Sequence, residues 1–413
     1  MALLGWIDFS SKHRSRVAAL LDALKAEGIL DELGISTIRD ALADQMFPGI
    51  NTIQTRAKYF FIIPYILFEY QKLLASGKTT KSPDKYLEDK ENEIMWELGD
   101  KYEHNPRSNS GVIGITKIQP QKIIRRASEI YWNGLNEFSI ITHGGEGRDT
   151  FLRRKSQKDF FLRTSSYAGD DAGRDDKDAE YENIFQIKIE YDPTWRENLR
   201  KNGLTLTKNE AHTLKHRFID RGQNLLLGEL VENTKAKAAF LVERDFATAA
   251  KNGIRYCSPR VQTVVRIAHD FSEVMYGAHI AYNYFLQKAK NNSEDYAKDL
   301  HTWHRTLRQT LLDYAHYNPE EVLQYAPRAE RPLGNFIKLW WQEVSQPQLN
   351  LSSIQKLITQ RELNVKRYKA RLYHQKFSDV SKDWIGLKRL NYRLPQVKRM
   401  LHDIEEGLKS QHA

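Results

Sequence analysis

Leu33-Gly34-Ile35-Ser36-Thr37-Ile38-Arg39-Asp40, the break Phe47-Pro48-Gly49 and the run Asn51-Thr52-Ile53-Gln54-Thr55-Arg56-Ala57-Lys58-Tyr59-Phe60 decide the class of fold. Ser36 is a residue type that caps a helix by accepting a free backbone N–H. Behind it Ile38, Ala41, Leu42 and Met46 recur at helical spacing. Phe47-Pro48-Gly49 stops that helix, because proline cannot continue the hydrogen-bond ladder and glycine accepts the turn. Asn51 or Thr52 is then expected to cap a second helix, with Ile53, Ala57, Phe60 and Phe61 on one face and Pro64 kinking or ending it. The pair reads as a helix-turn-helix-like hairpin.

Working outward, Gly77–Ser82 is a polar break and Lys85–Glu103 a charged helical stretch. Pro120 sits where a first-turn proline belongs, ahead of a stripe of Ile123, Ala127, Ile130, Tyr131, Leu135 and Phe138. Phe138–Thr142 reads as a short strand, His143–Gly147 as a glycine-rich turn and Thr150–Leu152 as a return strand. Helix followed by a small β-hairpin is the tail of a winged-helix module, so residues 1–155 are expected to form a helical, winged-helix-like domain. A mobile acidic connector is expected over 156–183, where Asp170, Asp171, Asp175, Asp176, Asp178 and Glu180 lie among glycines and serines with little to bury. Phe185–Tyr191 alternates like a half-exposed strand. From there an α-helical C-terminal domain is expected over 184–413.

That C-terminal part carries a capping box at Thr207-Lys208-Asn209-Glu210. A long helix opens at Ser258-Pro259, with the stripe Val261, Val264, Val265, Ala268, Phe271, Met275, Ala278, Tyr282 and Phe285. Further helices are expected at Asp299–His316, Leu333–Val344, Ser352–Gln375 and Pro395–Lys409. The fold class is therefore mainly α.

At 413 residues the chain exceeds the size at which one core stops growing, and 40% hydrophobic content supports buried cores. A single cysteine, Cys257, excludes an intramolecular disulfide and a cysteine-rich zinc site. Met1–Trp6 is too short and uncharged for a signal peptide. Tyr59–Phe68, the most apolar run, falls well short of the ~20 residues that span a bilayer. No membrane contact and a cytoplasmic setting are expected. The net charge of +10 is uneven: residues 351–413 hold 14 Lys/Arg against 6 Asp/Glu, a net of 14 − 6 = +8. Clustered cations suit a polyanionic partner through counterion release.

Catalytic patterns fail one by one. Ser76-Gly77-Lys78-Thr79 imitates the end of a phosphate-binding loop, but Lys72 stands at the earlier glycine position and no strand precedes it. Asp84, Glu88, Asp89 and Lys90 imitate a nuclease carboxylate set on what reads as a helix face. His212/His216 lacks the glutamate of a zinc-protease motif, Thr213 standing there instead, and His301/His304 is likewise incomplete. Cys257 precedes a helix start, where a thiolate would be stabilised; a packed thiol is the simpler reading. No catalytic residue, metal or cofactor is assigned.

The basic clusters survive this filter. Lys122, Arg125 and Arg126 lie off the apolar stripe of the expected recognition helix, within reach of phosphates or guanine edges. Arg361, Lys366, Arg367, Lys369 and Arg371 form a second cluster, interleaved with Tyr368 and Tyr373. Arginine beside tyrosine suits phosphate-plus-stacking contacts, and equally an acidic protein partner.

With Gly5-Trp6-Ile7-Asp8-Phe9-Ser10, the Gly34–Phe60 block, Ser128–Leu135, Arg361-Glu362, Lys369–Leu372, Trp384-Ile385-Gly386 and Asp403–Leu408, the chain resembles an uncharacterised bacterial domain-of-unknown-function family often met in mobile and antiphage-defence regions. The resemblance supplies no catalytic residues. It implies a non-enzymatic companion of a helicase or nuclease. Together with the basic clusters, it makes a nucleic-acid-binding accessory subunit the expected function, with DNA the first expectation and a helicase or nuclease as protein partner. A protein–protein adaptor, or a metal-dependent nuclease whose carboxylates converge only in three dimensions, are the alternatives.

Overall fold

The structure is a computed structural model and describes residues 31–108, 110–155, 183–310, 317–377 and 383–410. The Gly5–Ser10 motif and, apart from Asn183, the acidic connector expected over 156–183 lie outside them. Among the described residues the chain is mainly helical. It packs into two compact units, one of residues 1–46 and 224–394, the other of residues 47–223 and 395–413.

The first unit holds α1 (Ser36–Met46), α7 (Leu226–Glu232), α8 (Thr234–Val242), α9 (Phe246–Gly253), α10 (Pro259–Lys288), α11 (Glu294–Gln309), α12 (Pro319–Gln324), α13 (Arg331–Val344), α14 (Leu351–Lys366) and the single turn α15 (Arg371–His374). Its axis is α10, opened by Pro259 and buried on nearly every face, because α1, α9, α11, α12, α14 and α15 all pack on it. The apolar stripe from Val261 to Phe285 made the helix legible, and packing by neighbours buries polar positions such as Asp270, His279 and Asn283 as well. Close packing of α11 depends on Gly277: a Cβ there would stand 2.1 Å from the Trp303 ring.

The second unit holds α2 (Tyr59–Ala75), α3 (Pro83–Lys101), α4 (Ala127–Glu137), α5 (Trp195–Asn202), α6 (Lys208–Gly222) and α16 (Leu394–Lys409), whose first residue closes the other unit. α2 is its core, buried from Tyr59 through Leu67, with Phe60 edge-on to Tyr131, Phe138 and Phe218. The capping box forms in full: Thr207 Oγ1 accepts from Glu210 N, while Glu210 Oε2 accepts from Thr207 N at 2.8 Å.

Several local expectations are corrected. α2 begins at Tyr59, not at Asn51, because Asn51 is spent on a turn: its Oδ1 accepts from Ile53 N and Gln54 N, and its Nδ2 donates to Ile130 O. Pro64 neither ends nor breaks α2, which runs on to Ala75. Among the described residues there is no β-hairpin and no winged-helix-like module. The expected return strand at 150–152 lies in a helical segment over 148–155, and Ile141 pairs instead with Ile187 in one antiparallel bridge. Two rungs hold that bridge, Thr142 N to Gln186 O and Lys188 N to Ile140 O, so the candidates at 138–142 and 185–191 pair with each other over a minimal length. The helix expected over Ser352–Gln375 stops at Lys366, where Arg367 turns to φ +52°.

Candidate nucleic-acid interface

The C-terminal basic cluster is an arch built on the end of α14. Asn350 caps that helix through Ser353 N, and its inner face buries Ile354, Ile358, Arg361 and Glu362. Arg361 is 6% exposed and serves as an anchor: Nε donates to Leu33 O at 2.7 Å, Nη2 donates to Gly34 O at 3.0 Å, and the guanidinium lies over Phe336. Gly34 makes room for it. Its φ is +63°, and a Cβ there would stand 2.8 Å from Arg361 Nη2. That requirement explains the glycine in the opening motif.

Glu362, wholly buried, pins the far side of the arch. Its two oxygens accept from Arg371 N and Leu372 N at 2.8 Å each, capping α15, and Tyr282 of α10 donates its hydroxyl at 2.8 Å. Burial, then the nearby Glu32 and Glu362 charges, push the Tyr282 phenol far up, so it remains a donor. Glu32, also buried, draws in Lys366 Nζ at 3.4 Å and Arg371 Nη1 at 4.0 Å. Beside it His279 is fully buried with neither ring nitrogen hydrogen-bonded, and burial pushes its pKa down to about 4.

Three of the five predicted residues, Arg361, Lys366 and Arg371, therefore face inward as anchors. Lys366 and Arg371 remain only partly exposed, and Arg361 is excluded from phosphate contact by its backbone partners. Arg367 and Lys369 face outward. With them stand Tyr368 at 71% and Tyr373 at 53% exposure, Tyr368 among the most exposed large hydrophobic side chains of the described residues. Ala370, wholly buried, divides the arch into two outward lobes, 367–369 and 373–376. Lys376 Nζ reaches back to Tyr368 O at 3.2 Å, and a ring nitrogen of His374 lies 3.2 Å from Arg367 O, tying the lobes together.

The other predicted cluster is placed differently. Lys122, Arg125 and Arg126 precede α4 instead of riding on it, since the helix starts at Ala127. Arg125 is exposed, and Lys122 pairs with Glu88 at 3.0 Å. Arg126 is only 7% exposed and belongs to a buried network: Nη2 meets Asp84 at 2.9 Å, with Glu91 and Glu129 within 3.9 Å. Ser128 donates both its N (2.6 Å) and its Oγ (2.9 Å) to Glu91, and Arg148 donates to Ser128 Oγ at 3.1 Å. Burial raises the Glu91 carboxyl to about 7 against the opposing pull of Ser128, Arg126 and Arg148. Arg126 is thus a structural cation, and this cluster does not present three free side chains to phosphate.

Several of the residues in the catalytic imitations make structural contacts. Ser76–Lys78 is the C-terminal turn of α2, and Asp89 is held by Lys81 and Lys85 on the face of α3. The ring of His304 is buried against Val344 O and Gln346 O. Cys257 is the buried, packed thiol expected of it, and burial and Glu229 push the thiol up to about 12. Among the described residues His402, Asp403 and Glu406 converge closely enough to share a cation, but Asp403 already accepts from Arg56 Nε at 2.9 Å and Ala57 N at 2.8 Å.

A model of a family of unknown function (DUF6361) matches residues 1–309, about three quarters of the chain, and the chain belongs to that family. No curated protein and no solved structure matches it. No helix among the described residues is long and apolar enough to cross a membrane.

Proposed function

We propose that this protein is a non-enzymatic nucleic-acid-binding accessory subunit that positions a partner helicase or nuclease in the cytoplasm, in the setting of bacterial antiphage defence. One observation carries the reading: residues 367–376 hold four Lys/Arg and no Asp/Glu, and the arch turns Arg367, Lys369 and two tyrosines to solvent while Lys366 and Arg371 hold it down. Such a surface gains from releasing counterions condensed on a phosphate backbone. Arg367 adds support, for it occupies a positive φ that favours glycine. Backbone positions of that kind cluster at functional sites.

The test is the salt dependence of binding to a fluorescent oligonucleotide by the full chain. Each duplex phosphate neutralised contributes a log–log slope of about −0.9. Replacing Arg367 and Lys369 with alanine is expected to flatten the slope by up to about two such steps. An adaptor without nucleic-acid contact predicts no binding even at low salt, and either that result or an unaltered slope overturns the proposal. Cleavage of DNA or RNA with Mg²⁺ or Mn²⁺, abolished by chelation, would instead make the protein a nuclease.

A further inference from the structure

We infer that the arch takes single-stranded nucleic acid, its two tyrosines stacking on unpaired bases; this rests on the nucleic-acid reading above and specifies its ligand. Three features favour a single strand over a duplex. The first is the exposure of the aromatic rings. Tyr368 and Tyr373 place 71% and 53% of their surfaces in water, a costly location for aromatic area unless a partner covers it. Inside a duplex the base faces are already stacked on one another, so a tyrosine ring finds phosphate and sugar there but no free π-face. An unpaired base offers that face whatever its identity.

The second feature is a cation beside the Tyr368 ring and further positive charge within the same short arch. Lys369 Nζ lies 5.6 Å from the Tyr368 ring centre, and Lys376, in the lobe that carries Tyr373, reaches back to the Tyr368 carbonyl. With Arg367 these supply positive charge beside the rings, the combination in which phosphates track a basic groove while bases stack. The third feature is the shape of the element. Direct duplex readout takes a helix or a two-stranded ribbon laid into the major groove. The arch offers a three-residue turn, Arg367–Lys369, and a four-residue helix, Arg371–His374, neither long enough to enter one. The contact it can make is local, a few nucleotides across two lobes.

The anchoring makes the arrangement more than a floppy basic tail. Glu362 holds α15 through two backbone N–H groups, Ala370 is buried between the lobes, and Arg371 and Lys366 turn toward Glu32. The rings are thus presented with part of their ordering already supplied by the fold, which reduces the entropy lost on binding.

The experiment compares 20-nucleotide oligo-dT and oligo-U with a 20-base-pair duplex, by fluorescence anisotropy at fixed salt, using the full chain. Unmodified protein is expected to bind a single strand more tightly than the duplex. Tyr368→Ala with Tyr373→Ala is expected to weaken single-strand binding by roughly 5- to 150-fold per ring, the range that one stacked base supplies. The Tyr→Phe pair keeps the rings and is expected to retain most of the affinity, whereas Tyr→Leu, which keeps apolar area without the ring, is not. Both tyrosines are exposed, so the melting temperature should be unchanged in each variant. Duplex bound as tightly as single strand, or single-strand binding indifferent to the alanine pair, overturns the single-strand assignment while leaving nucleic-acid binding in place. Binding to neither form at low salt overturns both readings and marks the arch as a surface for an acidic protein.

Discussion

Glu362→Ala should release the arch from the helical core of its unit. In the folded chain this wholly buried carboxylate accepts three hydrogen bonds, from Tyr282 Oη, Arg371 N and Leu372 N, all at 2.8 Å. Hydrogen bonds to a charged group contribute roughly 1.5–3 kcal/mol each. The two backbone donors lie at a partly exposed helix end that water can reach after truncation, whereas the buried Tyr282 hydroxyl is left close only to Glu32, at 3.4 Å. The expected cost is therefore about 3–5 kcal/mol, below the full sum of three bonds. Glu362→Gln keeps the shape and one acceptor oxygen, and should cost about 1–2 kcal/mol. Chemical denaturation gives the total. Amide exchange read by mass spectrometry gives the location, with Arg371 and Leu372 losing protection before the core of Pro259–Lys288 does. If the alanine variant loses less than about half a kcal/mol, or protection at Arg371 and Leu372 is unchanged, Glu362 does not hold the arch and the account of its preorganisation fails.

Two further perturbations test the buried groups and the packing. In the second unit Glu91 is raised to about 7 from an ordinary 4.5, chiefly by burial, so the folded state binds that proton more tightly than the unfolded chain. Its contribution is full below about 4.5 and is lost as pH rises through 7, on the order of 3 kcal/mol across the window; Glu91→Gln should flatten this dependence, and a variant that keeps the full slope assigns it to other groups. His279 in the first unit has the opposite sign: burial lowers it to about 4 from 6.5, so stability present above 6.5 is lost on acidification toward 4, and His279→Phe should abolish the acid loss measured by exchange in Pro259–Lys288. Gly277→Ala would set a methyl 2.1 Å from Trp303, and the forced shift of α11 should cost at least the 1–3 kcal/mol typical of overpacking; a melting temperature within a degree of the parent would show that the two helices separate without penalty.

The sequence by itself determined what is local. The long axial helix was legible from Ser258-Pro259 and the stripe Val261–Phe285, and the capping box at Thr207–Glu210 forms with both of its hydrogen bonds. Apolar period and cap chemistry act over a few residues, so they are written in consecutive positions. The mainly helical class followed from the same signals. Tertiary structure decided what each charged side chain is for. Arg361 and Arg126 looked like free cations, but the carbonyls of Leu33 and Gly34 lie more than three hundred residues from Arg361, and Asp84 lies forty-two residues from Arg126. Strand candidates failed for a related reason: Ile141 needs a partner to be a strand, and its partner proved to be Ile187 rather than the segment beyond the glycine turn. Even the break at Arg367 was hidden, since no glycine or proline marks it. The chain turns there because Glu362 captures the N–H groups of Arg371 and Leu372 while Ala370 is drawn into the core, a balance of contacts that no window of sequence contains.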